Sequence, residues 1–433
     1  MNAPHAPVSP GAASSPDADE LDCALADPRR AVTAAREHIA TTALQETASD
    51  AQGLVGLELE LHVVDLARPA QRPTWTRLTT VAAGLPAMPG GSAVTFEPGG
   101  QIELSTPPTV GIVDSVAALR ADARVLQAAL AQAGLGAAPL GADPARPVRR
   151  VNPSLRYAAM EQHFAALGCA TPGRAMMSAT AALQVNLDAG PRAGWGPRLE
   201  LIRRLGPVLT ALAACSPYLA GDASGWRSMR QQAWHGIDSA RSDPVSGADP
   251  AAAWATYALQ APVMLVLSAD GAVAITSRVP LAAWLDGSAP IPRRPTLADI
   301  DYHLTTLFPP VRPRGYVEIR YLDAAPHRWW PAVATITATL IDDPVAADRA
   351  AEVVEPVGDA RAVAARDGLA DQALRAAAES CVAVAADRCP AEGRAEVEAY
   401  AELVFAGRTP GDELRERAER HGPLAVLAEE ARA

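Results

Sequence analysis

The sequence predicts an α+β fold: a curved, mostly antiparallel sheet backed by helices. Three observations lead there. Segments in the chemistry-bearing middle of the chain alternate polar and apolar residues with a period of two, as strands with one buried face do. Segments around them carry helical spacing instead. From about residue 331 the chain is alanine-rich and helical, with breaks near residues 342–344, 389–390 and 407–410.

Residues 1–25 are rich in Pro, Ala, Ser and Asp and read as a disordered tail, followed by a single domain over 26–425. A helical pattern spans 28–48 and a strand spans 54–65. Residues 93–96 and 101–105 form a hairpin closed by Pro98-Gly99-Gly100. A helix is predicted over 114–133, where Val116, Leu119, Leu126 and Leu130 share a face and Gly134 suits the cap. Helices over 151–167 and 198–214 flank a strand over 179–188. Residues 262–267 and 272–277 surround Asp270-Gly271, a hairpin signal. Thr296 and Asp299 form a capping box for a helix over 296–307, and 316–321 is a strand.

A chain of 433 residues with 49% hydrophobic and 20% charged residues is globular and long enough to bury a substantial core. Its formal net charge of −11 argues against a nucleic-acid partner. Lysine is absent, so all 38 basic residues are arginine. That excludes P-loop and Schiff-base lysines, and leaves phosphate or carboxylate to arginine, metal or backbone amides. Five cysteines without a CxxC fit a reducing cytosol better than a disulfide framework. No signal peptide is recognisable and the most apolar run, 261–268, is too short for a membrane span. A cytoplasmic protein is expected.

Four strands share a peculiarity. Glu58, Glu60 and His62 alternate with Leu57, Leu59 and Leu61. Gln101, Glu103 and Ser105 alternate with Ile102 and Leu104, and Gln184 and Asn186 alternate with Leu183, Val185 and Leu187. Glu318 and Arg320 alternate with Val317, Ile319 and Tyr321. Any one of these could be a strand showing its polar side to water. Together their faces are selectively Glu, Gln and Asn, and adjacent carboxylates repel unless a cation lies between them. With lysine absent, a hard divalent cation such as Mg²⁺ is the expected neutraliser. Glu97, just before the turn, is folded toward Glu103. A second constellation runs from Ser224 to Arg241. If helical, it puts Arg230 and Trp234 on one face, where Arg could clamp a carboxylate or simply cover the core with its aromatic neighbour.

In order along the chain, Gly56-Leu57-Glu58-Leu59-Glu60, Phe96-Glu97-Pro98-Gly99-Gly100-Gln101-Ile102-Glu103, Gln184-Val185-Asn186-Leu187-Asp188, His303-Leu304-Thr305-Thr306-Leu307-Phe308-Pro309-Pro310-Val311-Arg312 and Glu318-Ile319-Arg320 resemble the glutamate–cysteine ligase family of plant and proteobacterial type. The resemblance is nearest to the actinobacterial branch that feeds ergothioneine synthesis, and covers roughly residues 28–348. It implies a glutamine synthetase-like fold whose sheet forms an active-site cup for ATP, Mg²⁺ and glutamate. It implies metal ligation by Glu58, Glu60, Glu97, Glu103 and Glu318. Gln184 and Asn186 would sit in the metal and substrate region, and Arg320 on the transferring phosphate. Arg241 would hold the glutamate α-carboxylate, beside Trp234 and Arg230. The implied reaction joins the γ-carboxylate of L-glutamate to the amine of L-cysteine through γ-glutamyl phosphate, releasing ADP and phosphate. A carboxylate–amine ligase with another acceptor and a di-metal phosphohydrolase are the alternative readings of the same acids. The expected partners are small molecules only, and the sequence leaves the oligomeric state open, a monomer included.

Overall fold

The structure, a computed structural model, describes residues 16–47, 53–223, 225–269 and 271–433. The strands are β1 (Leu54–Asp65), β2 (Ala93–Phe96), β3 (Ile102–Ser105), β4 (Thr109–Val110), β5 (Leu135–Ala138), β6 (Ala182–Leu187), β7 (Leu265–Ser268), β8 (Gly271–Ala274), β9 (Val311–Pro313) and β10 (Val317–Asp323). Eight of them form one sheet in the order β2-β3-β1-β6-β10-β9, with β4 and β5 also paired to β1. Every ladder in it is antiparallel. β7 and β8 form a separate two-stranded hairpin, and Asp270 of the expected Asp270-Gly271 signal lies outside the described residues.

The alternation in β1 fixes its register. Leu57, Leu59 and Leu61 are wholly buried, as are Leu183 and Val185 of β6 and Ile319 of β10. Burying each such side chain contributes about 2 kcal/mol, and a slip of one residue would exchange these leucines for glutamates. The apolar face is covered by the helices Gly111–Gln132 and Trp330–Asp342. The latter is buried almost all round. Its Thr337 hydroxyl donates to the Val333 carbonyl at 2.8 Å, so a polar group is carried into the core without being orphaned.

Several sequence expectations are displaced. Helix Pro16–Ala26 occupies the end of the stretch expected as a disordered tail, and residues 1–15 lie outside the described residues. Wholly buried Leu25, and an Asp22 carboxylate that accepts from the Leu297 amide at 2.8 Å, tie that helix to the domain. At the other end, helix Pro423–Glu430 continues past residue 425 and packs on β5. The helix Ala170–Ala179 was hidden by Pro172-Gly173, which reads as a breaker. Proline is tolerated in a first helical turn, and Gly173 is required because a Cβ there would lie 2.5 Å from the Phe164 ring.

The turn that ends β2 is pinned from several sides. Glu97 N–H donates to the Gln101 carbonyl at 2.9 Å, and Gly100 N–H to the Glu97 carbonyl at 3.0 Å. The Pro98 carbonyl accepts from the Val151 and Asn152 amides at 2.8 and 2.9 Å, and Arg72 donates to the Gly99 carbonyl at 3.3 Å. Gly100 has φ +81°, and a Cβ on Gly99 would lie 2.1 Å from the Ser178 carbonyl oxygen. The double glycine therefore answers a conformational and a steric demand at once. Gly99→Ala should cost about 1–3 kcal/mol by overpacking against a backbone that cannot retreat. Calorimetric unfolding should show a lowered Tm, and an unchanged Tm would show that the turn yields freely.

Candidate active site

The sheet register assembles the polar face row by row. Thr95, Glu103 and Glu60 are cross-strand neighbours along β2, β3 and β1. Ser105, Glu58 and Gln184 form the next row, and Asn186, Glu318 and Arg312 the third. A register shift between Ile319 and Leu322 interrupts the β10–β6 ladder beside Arg320. Bulges of this kind re-aim side chains, and here the Arg320 guanidinium donates to Gln184 Oε1 at 2.7 Å and to Glu318 Oε2 at 2.9 Å.

Three of the five expected acids converge. Glu60, Glu97 and Glu103 each place a carboxylate oxygen within 4.8 Å of the other two. Glu103 Oε1 accepts from the Thr95 and Ser105 hydroxyls at 2.8 and 3.0 Å, and Glu60 Oε2 from the Ala182 amide at 2.9 Å. Burial raises all three carboxyls, Glu60 to about 7 against the pull of Arg230 and Glu97 well above its usual value; the Glu60 charge adds to the rise of Glu97 and Glu103, and the Glu58 charge to that of Glu60. An all-oxygen set of crowded carboxylates fits a hard divalent cation such as Mg²⁺.

Glu58 and Glu318, expected in the same cluster, stand beside it with their oxygens engaged. Glu58 accepts from Gln184 Nε2 at 2.8 Å and Asn186 Nδ2 at 3.0 Å; burial, then Glu103 and Glu318, push it up to about 8. Glu318 is wholly buried and takes a fork from Arg312, Nε at 2.6 Å and Nη2 at 3.0 Å, besides Arg320 and Arg314. Burial would raise Glu318, but Arg312, Arg320 and Arg314 outweigh it and hold the carboxyl well below its usual range. Two neighbouring acids on one face thus titrate in opposite directions. His62 continues the face but is fully buried facing Asp143, Arg146 and Arg72, and burial lowers it to about 3.

The arginines divide likewise. Arg230, on the short helix Met229–His235, donates from Nη2 to the Arg320 carbonyl at 2.6 Å. Trp234 packs edge-on against Phe308 at 5.7 Å. With Arg320, these two aromatics line a cleft of about 690 Å³, to which Arg203, Arg361 and His235 also contribute. Arg241, the expected carboxylate clamp, does not line it. Its side chain is wholly buried and donates to the Thr306 and Pro262 carbonyls at 2.8 and 2.6 Å, with His163 Nε2 at 3.3 Å. In this structure Arg241 ties backbone segments together, and holding a substrate would require it to leave them. Sequence reasoning missed Arg203, Arg361, Arg312 and Arg314 as site groups. Only Arg312 carried a signal, as the end of a quoted motif.

The carboxylate triad, the arginine-held Glu318 and the adjoining cleft have the makeup of a metal-dependent, phosphate-handling enzyme site. Comparison with known proteins narrows that class. Residues 54–430 match the family described as glutamate-cysteine ligase family 2 (GCS2), and this chain belongs to that family. Among curated proteins it is 50% identical to glutamate–cysteine ligase EgtA of Mycolicibacterium smegmatis, covering 96% of this chain and 99% of that one. It is 49% identical to glutamate–cysteine ligase EgtA of Mycobacterium tuberculosis over 94% of this chain and 95% of that one. A chloroplastic glutamate–cysteine ligase of Medicago truncatula is 29% identical over 80% of this chain and 72% of its own. The crystal structure of Francisella tularensis glutamate–cysteine ligase in complex with AMP shares the fold, with a TM-score of 0.56 at 15% identity and 89% and 88% of the two chains covered.

The raised acids make a pH-dependent test. Between the ordinary carboxylate range and pH 8, folded protein retains protons on Glu58 and Glu60 that the unfolded chain has released, so without metal these groups lose their contribution to stability as pH rises. A divalent ion held by Glu60, Glu97 and Glu103 must displace the Glu60 proton. The Tm gain on adding Mg²⁺ should therefore be small at pH 6 and grow toward pH 8. A gain independent of pH would mean that the ion binds elsewhere.

Proposed function

We propose that this chain ligates the γ-carboxylate of L-glutamate to the amine of L-cysteine at the expense of ATP, with Mg²⁺, giving γ-glutamylcysteine for ergothioneine biosynthesis. The observation that carries the reading is the meeting of the Glu60, Glu97 and Glu103 triad with Arg320 on one sheet face, in a chain half identical to proteins named for this reaction. A carboxylate is a poor acyl donor. Its oxygen attacks the γ-phosphorus of ATP, ADP departs, and the amine nitrogen then attacks the carbonyl carbon of the acyl phosphate and expels phosphate. Two anions must approach in the first step, so charge has to be offset where they meet.

Bound divalent metal would supply much of that positive charge, held by Glu60, Glu97 and Glu103. Arg320 meets the moving phosphoryl group from β10, oriented by Glu318 and Gln184. Glu58 keeps Gln184 and Asn186 in place from the next row. The cleft walled by Trp234 and Phe308 takes a substrate up to Arg320. No helix among the described residues is long and apolar enough to cross a membrane, and cytoplasmic action fits substrates of this kind.

ADP release measured with glutamate and a panel of amines tests the reading. Cysteine should be preferred over 2-aminobutyrate by about 10- to 200-fold in kcat/KM, because a pocket that merely fills around a thiol discriminates weakly against a methyl. Serine should fare worse, since its hydroxyl loses water without a dedicated partner. Preference for a non-thiol amine would point to a different acceptor, and phosphate release that ignores added amine to a hydrolase.

Two substitutions test the groups. Glu103→Gln keeps the shape and removes the charge, and should reduce kcat by at least about 100-fold with the fold intact. Arg320→Lys should be badly impaired, because the planar fork to Gln184 and Glu318 is lost. Parent-like turnover in either variant at saturating Mg²⁺ would remove that residue from the mechanism.

A further inference from the structure

Two guanidiniums meet beside one indole. Arg230 Cζ is 5.6 Å and Arg320 Cζ 5.7 Å from the Trp234 ring centroid, although one arginine comes from a helix and the other from β10. Like charges held this close repel, and each needs compensation. Arg320 has it in Glu318 at 2.9 Å. Arg230 does not. Its nearest ion-pair contact among the described residues is Asp323 Oδ1, 3.9 Å from Nη1 and beyond hydrogen-bond reach. Asp323 is already occupied by the Ser228 hydroxyl on one oxygen and by the Cys215 amide and Ser216 hydroxyl on the other.

Both arginines also hold unused donors in buried positions. Arg230 is only 2% exposed, and its Nη1 makes no hydrogen bond; Arg320 Nε is buried and unbonded as well. Buried donors left unpaired mark a place where a partner is expected. Arg230 Nη2 donates to the Arg320 carbonyl, and Arg320 donates to Gln184, which holds Glu58 in the row next to Glu60 and Glu103, so both arginines belong to the face that carries the triad. A planar, singly charged carboxylate would engage one fork. A tetrahedral dianion offers oxygens in several directions and can face two guanidiniums and the triad's cation together.

We propose that Arg230 and Arg320 form one receptor for the phosphoryl group, so that Arg230 is a second phosphate-binding arginine and not an amino-acid carboxylate clamp. This rests on the ligase reading above, and assigns Arg230 a direct contact with the group in transfer.

Isothermal titration of the full chain with inorganic phosphate, at fixed Mg²⁺, tests it in the parent protein and in Arg230→Ala, Arg230→Gln and Arg320→Ala. Arg366→Ala, at a surface arginine whose ion pair among the described residues is with Asp367, controls for general loss of charge. Arg230→Ala and Arg320→Ala should each weaken phosphate by at least about tenfold, while Arg366→Ala should match the parent. Arg230→Gln keeps a donor for the Arg320 carbonyl and removes the charge. It should remain weak if Arg230 touches phosphate, and its recovery to parent affinity would show that Arg230 only braces Arg320 and would overturn the proposal. So would a parent protein that takes up no phosphate, or an Arg230→Gln variant whose glutamate KM rises while phosphate affinity holds. Amine-dependent ADP release by the parent is measured alongside. Its absence would sink the ligase reading, while the phosphate titrations still decide the role of Arg230.

Discussion

Everything at this site follows from crowding acids on one face of a sheet. A strand must send alternate side chains to opposite sides, so the same residues that bury Leu57, Leu59 and Leu61 force Glu58 and Glu60 to the other face, next to Glu103. Buried carboxylates at that spacing cannot all ionise without positive charge nearby. The protein answers in two ways. On β10, fixed arginines neutralise Glu318 permanently. On β1 burial pushes Glu58 up to about 8 and Glu60 to about 7, and on β3 it raises Glu103 as well, which suits a site for an exchangeable cation.

The division has a mechanistic logic. Glu318 spends its charge on Arg312, Arg314 and Arg320, so those arginines are held in place before any substrate arrives. Preorganised charge needs little rearrangement at the moment of phosphoryl transfer. The triad is the converse case, since burial raises all three of its acids and leaves their charge unfixed. One face therefore combines a rigid half and a loadable half. The β10 bulge lies at the junction, where Arg320 reaches both Glu318 and Gln184.

How much of this the sequence shows depends on distance along the chain. β1 is readable residue by residue, because period-two alternation is local and strong. Glu60 and Glu103 are readable for the same reason, and Glu97 through the glycine turn that returns it toward β3. The short strands β4, β5 and β9 are not, since two or three residues carry no period, β5 is Leu-Gly-Ala-Ala without polar alternation, and β9 contains a proline. Arg203 and Arg361 reach the cleft through helix packing that leaves no spacing to recognise. Arg241 shows the converse limit: resemblance supplies a role, whereas its surroundings here are decided by backbone carbonyls contributed by Pro262 and Thr306.

The long central strand also sets the order in which the molecule can become competent. β1 and β3 leave the ribosome early, but the opposite edge of β6 is closed only by β10, whose residues are made more than a hundred positions later. Until then a nascent chain carries an open apolar edge at Leu183, Val185 and Leu187, a template for wrong pairing between chains. The same delay keeps Arg320 away from the acids, so a partly synthesised chain holds Glu58, Glu60 and Glu103 without the guanidinium that bonds Gln184 and Glu318. Truncated products should therefore burden protein quality control, without hydrolysing nucleotide.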